Sequence, residues 1–445
     1  MKRTKSYKLI CRIAIWGLVC GFLGVNISQA AAATTNKQLL AQADFKYVGA
    51  FEIPSSLPSG YDLAWGKALT HRYVNGELRM FSSAWNRNGP ESVYEVKPPT
   101  ASLTAPYPRA TLVREWGDIW QGKRYTADGG SEMIGLYWDE TDKRLYWSYG
   151  SMYNTQGWDD PSVGYSTLND STGAGTAVGA WRFTGRGPKA TLGCVIPLPQ
   201  WFADAYTGGR RLAAGCGGPQ SAITVGPAHM GPALTSFSPP NISSNPNQSS
   251  LSFVNLVGYP FTQNTYGPPD RAHRDLNYSV DDPNSWLAWP PQNGMGYWTD
   301  EDTIFQSGTW IDLPDKHGVI FFPILGNGRI WYESSQPWAQ SGSHWWYVYD
   351  PADLSRVALG QKQEWEIQAA VKWSVQYPGL TYPLEGWGGL PWYLISGVTF
   401  DQTKGRLYVA VRFAGDGGHR IYVYEVQSGS GDTTPPATPS GLRVR

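Results

Sequence analysis

The strongest constraint on this chain is an internal repeat. Residues 135–147 read GLYWDETDKRLYW, and residues 397–409 read GVTFDQTKGRLYV. Aligned, Gly135 falls on Gly397, Asp139 on Asp401, Thr141 on Thr403, Arg144 on Arg406, Leu145 on Leu407 and Tyr146 on Tyr408. An apolar strand ends at an Asp, and a short polar turn follows with Lys143 or Gly405 in its tight position. A second strand then begins at Arg-Leu-Tyr. This is the turn chemistry of a β-hairpin.

Weaker copies lie elsewhere. NGELRMFSS (75–83) and GGRRLAAGCGG (208–218) place Leu78 and Leu212 where Leu145 sits, and DLPDKHGVIFFPI (312–324) is a further copy with one extra residue. Strands of alternating aromatic and aliphatic residues follow the clear hairpins: SVYEV (92–96), GAWRF (179–183), WWYVYD (345–350) and RIYVYEV (420–426). Alternation at period two predicts half-buried strands. One hairpin with one or two outer strands makes a four-stranded blade. Recurrence of such units predicts an all-β fold, a single β-propeller of five to seven four-stranded blades over residues 44–427. A β-sandwich pair or an irregular all-β domain is the competing reading. The motif at 136–147 and 398–409 resembles the loose superfamily of NHL-, YVTN- and lactonase-like propellers. That resemblance implies architecture and no particular chemistry. Composition agrees: 22 Trp, 26 Tyr, 51 Gly and only 16% charged residues fit neither a helical bundle nor a disordered chain.

Residues 1–33 read as a Sec-type signal peptide. Lys2, Arg3, Lys5 and Lys8 precede an apolar run from Ile13 to Val25, and small residues follow from Ser28 to Ala33. The run is shorter than the roughly 20 residues of a spanning helix, so no stable membrane span is expected after processing, a retained anchor being the alternative. The chain is expected to be secreted or periplasmic. Removing the five basic residues of this leader from the 36 Lys+Arg leaves 31 against 36 Asp+Glu. No basic stripe remains, so nucleic acid is not an expected partner. Cys194 and Cys216 remain in the mature chain, and an oxidising compartment favours their pairing as a disulfide, with two buried thiols as the alternative. Residues 34–43 read as an N-terminal linker. Residues 428–445 read as a Gly/Ser/Pro linker into DTTPPATPSGLRV, which resembles the truncated start of a fibronectin type III domain.

Loops entering the inner strand of each blade converge on one face of a propeller. The segments just upstream of the hairpins are therefore the candidate ligand-binding positions: Asp62 and Trp65; Asp128 and Glu132; Trp298, Asp300 and Glu301; Glu385, Trp387 and Trp392. Indole faces stack on the apolar face of a sugar ring, and its hydroxyls donate to carboxylates. These residues point to a glycan; the competing reading is blade packing and turn capping. The insertion 268–291 gathers Arg271, His273, Arg274 and Tyr278, catalytic candidates of the type a polysaccharide lyase uses: Arg neutralises a uronate while His or Tyr moves a proton. A solvated loop with local ion pairs is the alternative. No cofactor is evident; Asp281-Asp282 and Asp300-Glu301-Asp302 are candidates for structural calcium. Three functions stay open: a secreted propeller binding an extracellular glycan on its channel face, a propeller lyase or glycosidase, and a scaffold for a protein ligand.

Overall fold

The computed structural model describes residues 36–63, 66–85, 91–100, 102–123, 131–151, 160–173, 175–186, 190–216, 228–229, 232–240, 250–261, 304–327, 341–382, 394–415 and 418–428. Strands β1 (Gln38–Leu39) and β2 (Phe45–Glu52) precede the first blade, which is β3 (Thr70–Val74), β4 (Glu77–Ala84), β5 (Ser92–Lys97) and β6 (Thr111–Gly117). The second is β7 (Ser131–Asp139), β8 (Arg144–Ser151), β9 (Val163–Thr167) and β10 (Ala177–Trp181). The third is β11 (Gly193–Pro197), β12 (Leu212–Cys216) and, after the short β13 (Ala228–His229), β14 (Leu234–Phe237) and β15 (Phe253–Val257); β13 pairs instead with β16 (Pro260–Phe261). The fourth is β17 (Ile304–Asp312), β18 (Lys316–Asn327), β19 (Ser341–Tyr349) and β20 (Val371–Val375). The fifth is β21 (Ile395–Asp401), β22 (Arg406–Gly415) and β23 (Gly418–Val426), with β2 as its outermost strand.

The fold is therefore an all-β propeller of five blades, at the lower bound of the predicted five to seven. The inner strands β3, β7, β11, β17 and β21 neighbour one another in a closed ring. β2 pairs with β23 from Phe45↔Val426 to Glu52↔Arg420, so an early strand completes the last blade and ties the ring shut. β1, within the stretch read as a linker, pairs in parallel with β18 at Gln38↔Lys316.

Among the described residues five large apolar clusters fill the five gaps between blades, and the period of two explains how one strand feeds two of them. In β18, Val319 and Phe321 pack toward the third blade, while Ile320 and Phe322 pack toward the fifth. In β8, Leu145 and Trp147 face the first blade and Tyr146 the third. The expectation of half-buried strands is corrected accordingly. Every residue from Ser92 to Val96, and from Ala177 to Trp181, is buried, because each sheet is sandwiched between two others. GAWRF also sits one place further out than the other alternating segments. Its β10 is the rim strand, and VGYST (163–167) supplies the third strand of that blade.

The repeat has a direct structural cause. Asp139 Oδ1 accepts from the Thr141 and Asp142 amides at 2.8 and 3.1 Å. Asp401 Oδ1 accepts from Thr403 and Lys404 at 2.9 and 3.2 Å. Lys143 (φ 53°) and Gly405 (φ 61°) then make the left-handed step into the second strand. Gly135 and Gly397 answer to the hub. A Cβ on Gly135 would lie 2.8 Å from the Cys194 Cα of β11, and one on Gly397 2.3 Å from the Leu69 amide nitrogen. Neighbouring inner strands approach too closely there for any side chain.

Two α-helices among the described residues decorate the ring. The first, α1 (Gln200–Tyr206), is inserted in the β11–β12 hairpin and packs Phe202 against Trp310, ring centroids 4.7 Å apart and tilted by 58°. The second, α2 (Pro351–Ala358), starts after Asp350, whose carboxylate caps the Ala352 amide. No helix among the described residues is long and apolar enough to cross a membrane. The ring bears out the propeller architecture; it does not single out the NHL-, YVTN- or lactonase-like branch. Residues 1–33 and 429–445, which carry the signal-peptide and fibronectin-like readings, lie outside the described residues.

Candidate functional site

The hub has an upper end, where the five inner strands begin, and a lower end, where they finish in hairpin turns. The sequence places its ligand-binding candidates at the upper end. Trp65, Asp128, Trp298, Asp300, Glu301, Glu385, Trp387 and Trp392 lie outside the described residues. So do Arg271, His273, Arg274 and Tyr278, and the calcium candidates 281–282 and 300–302. Among the described residues no group of three His, Cys, Asp or Glu side chains could hold a metal ion. The Glu132 backbone sits near the start of β7, opposite Gly150. Asp62 is exposed and held at the upper end of the first blade, its amide donating to the Trp85 carbonyl at 3.0 Å and its carbonyl accepting at 2.8 Å.

Four further side chains gather at this end. Lys67 lies three residues before the first inner strand and Glu91 directly before the third strand of the same blade; Arg412 and His419 lie in β22 and β23 on either side of their connecting turn. Each is at most 5% exposed. The local backbone fixes them. Lys67 receives a 2.8 Å bond from the Ser83 hydroxyl to its carbonyl, and the Ala68 amide donates to the Ser396 carbonyl of β21 at 2.6 Å. The Arg412 amide donates to the Leu394 carbonyl at 2.8 Å. Ala68 (φ 67°) and Phe413 (φ 58°), immediately beside Lys67 and Arg412, adopt left-handed backbone without being glycine. Such strain persists only where the surroundings enforce it, and it concentrates at ligand sites.

Burial and like charge then act together. Burial, reinforced by the Arg412 guanidinium and opposed by Glu91, pulls the Lys67 ammonium down to about 7. Burial pulls Arg412 down to about 9. Burial, with Arg412, pulls the His419 imidazole down to about 3, so that ring is neutral at physiological pH. Lys67 is thus an amine populated in both protonation states near neutrality, in a fixed and sheltered position.

The sequence carries one signal for Lys67. It stands two residues after Trp65 in YDLAWGKAL, a lone cation inside an apolar approach to an inner strand. His419 follows the AGDGG stretch that marks a hairpin turn. Gly415 and Gly418 do pair across that turn, but its side chain is interior. Glu91 and Arg412 carry no comparable mark, because only the ring brings the first and fifth blades side by side.

The predicted disulfide is present. Cys194 of β11 is bonded to Cys216 of β12, with Cα atoms 5.7 Å apart. It lies near the upper end of the third blade, where the Cys216 sulfur approaches Gly308 of β17.

No known family profile matches the chain, and no curated protein sequence matches it. Solved structures similar to it include a candidate glycoside hydrolase from Parabacteroides distasonis (10% identity, 90% of this chain and 95% of that one, TM-score 0.39). They also include an arabinanase from Bacillus subtilis (9%, 85% and 96%, 0.36) and an exo-beta-1,3-galactanase from Phanerochaete chrysosporium (9%, 86% and 64%, 0.36). Likenesses of this order carry no argument about activity. The five-bladed ring stands on the strand pairings of this chain.

Proposed function

We propose that this is an exported propeller that holds an extracellular glycan at the upper mouth of its hub. One observation carries the reading: Lys67, Glu91, Arg412 and His419 are buried together where two blades meet at that mouth. Burying two cations and a carboxylate costs several kcal/mol per ion before pairing. Perturbed groups of this kind mark functional sites. The sequence also concentrates its Trp and carboxylate segments on the same approaches, Trp65 being two residues from Lys67. The disulfide agrees with an oxidising compartment.

A glycan array probed with wild type and with Lys67→Met tests this. Binding that falls at least tenfold in the variant, with an unchanged melting profile, supports the site. Equal binding removes Lys67 and its neighbours from it.

A second reading has its own observation. An amine pulled to about 7 can accept a proton at neutral pH, as a lyase acting on a uronate requires. Incubation with uronate polymers, followed by the ultraviolet absorbance of the unsaturated product, separates the two. Turnover that vanishes in Lys67→Met makes the protein an enzyme; binding without turnover leaves it a binding module.

A further inference from the structure

A cavity occupies the lower end of the hub. Its volume is about 220 Å³, and its walls come from all five inner strands. That is below the roughly 300–1,000 Å³ of pockets for drug-sized ligands. At about 30 Å³ of liquid per water it equals roughly seven waters, the scale of one small ring compound.

Its polar groups are ordered by hydrogen bonds, two of them across the seam between the first and last blades. His71 Nδ1 lies 2.8 Å from Thr399 Oγ1. The Tyr73 hydroxyl donates to Asp401 Oδ2 at 2.5 Å. Glu140 accepts from the Trp138 indole N–H at 2.6 Å and pairs with Lys143. Burial keeps the His71 imidazole below its usual value, against the pull of Asp401 and Glu140, so the ring is uncharged at neutral pH. Arg72, which also borders the cavity, is engaged by Glu95 at 2.8 and 2.9 Å and by Asp170 at 2.6 Å. The wall includes one unmet donor. Trp310 is 2% exposed and its indole N–H has no acceptor among the described residues.

We propose that this lower cavity binds one neutral, polyhydroxylated ring, a monosaccharide, distinct from any ligand at the upper mouth. The Glu140 carboxylate and the Thr399 hydroxyl are acceptors for sugar hydroxyls, and the aromatic walls at Tyr73 and Tyr137 suit the apolar face of the ring. An anionic ligand would meet the Glu140 carboxylate and no uncommitted guanidinium among the described residues. The cavity does not depend on the reading of the upper mouth, which shares none of its side chains.

Fluorescence titration and calorimetry with glucose, galactose, mannose and xylose, alongside glucuronate and glucosamine, test the assignment. Trp138 and Trp310 in the wall serve as reporters. One neutral sugar is expected to bind with one-to-one stoichiometry, weakening at least fivefold in His71→Ala and in Glu140→Ala and unchanged in Lys67→Met. Glu140 is exposed on a turn, so its variant keeps the test open if His71→Ala fails to fold. Binding of glucuronate or glucosamine alone, binding abolished by Lys67→Met but insensitive to Glu140→Ala, or no binding of any sugar would each overturn the proposal.

Discussion

The Tyr73 hydroxyl donates to Asp401 Oδ2 at 2.5 Å, joining the inner strand of the first blade to that of the fifth. Asp401 is fully buried and its other oxygen already caps the β21–β22 turn, so the two strands are locked at one height. Asp139, its counterpart in the repeat, caps its own turn in the same way. Tyr73→Phe is expected to destabilise the protein by about 1.5–3 kcal/mol, the range for a hydrogen bond to a charged group. Urea unfolding checks this. A loss below a few tenths of a kcal/mol would mean the seam is held elsewhere.

Gly397 permits the closest approach between those same blades. A methyl group there would sit 2.3 Å from the Ala68 carbonyl carbon and the Leu69 amide nitrogen, both backbone atoms that cannot swing away. Gly397→Ala should cost about 1–3 kcal/mol or more, as overpacking does. Gly135→Ala, against the Cys194 backbone, should behave alike. Thermal melts of both variants test the equivalence that the repeat implies.

His419 predicts an acid dependence. Its folded value is about 3 because burial disfavours the cation, while an unfolded imidazole titrates near its ordinary 6.5. Between those two values the unfolded chain binds a proton that the native ring refuses. Stability from this group is therefore complete above about 6.5 and falls as the pH drops toward 3, by up to about 1.4 kcal/mol per pH unit. Unfolding free energies measured from pH 7 to 4 should show a shallower slope in His419→Gln. An unchanged slope would place the uptake on other groups.

The Cys194–Cys216 bridge closes a loop with a sequence separation of 22. Loop-closure entropy then gives about 3 kcal/mol from restricting the unfolded chain. The double variant Cys194→Ala/Cys216→Ala should lose about that much in chemical denaturation, and reduction of the wild type should match it. A loss well under 1 kcal/mol would show the unfolded state to be restrained without the bridge.

Lys143 and Gly405 occupy one turn position with different chemistry. Both have positive φ, a region that costs a side chain roughly 1–2 kcal/mol and glycine little. Lys143→Gly should therefore stabilise slightly, by about 0.5–1 kcal/mol after the extra freedom glycine gives the unfolded chain. A fall in melting temperature would count against this account of the turn.

The hairpins were legible because their causes are local. An Asp that bonds amides two and three residues ahead, and a residue that must turn left-handed, leave their mark wherever they occur, so 135–147 and 397–409 could be matched by eye. The alternation in SVYEV and RIYVYEV was legible for the same reason. Its meaning was not: whether one face or both are covered depends on what packs against the sheet, and only ring closure supplies a neighbour on each side. The same holds for Lys67, Glu91, Arg412 and His419. Their burial and their mutual effect on protonation come from bringing residue 67 beside residue 412, and the lower cavity arises from setting Tyr73 against Asp401. Short-range bonding wrote the blades into the chain. The number of blades, the residues that meet at the hub and the charge they can carry were decided by how those sheets stack around a common axis.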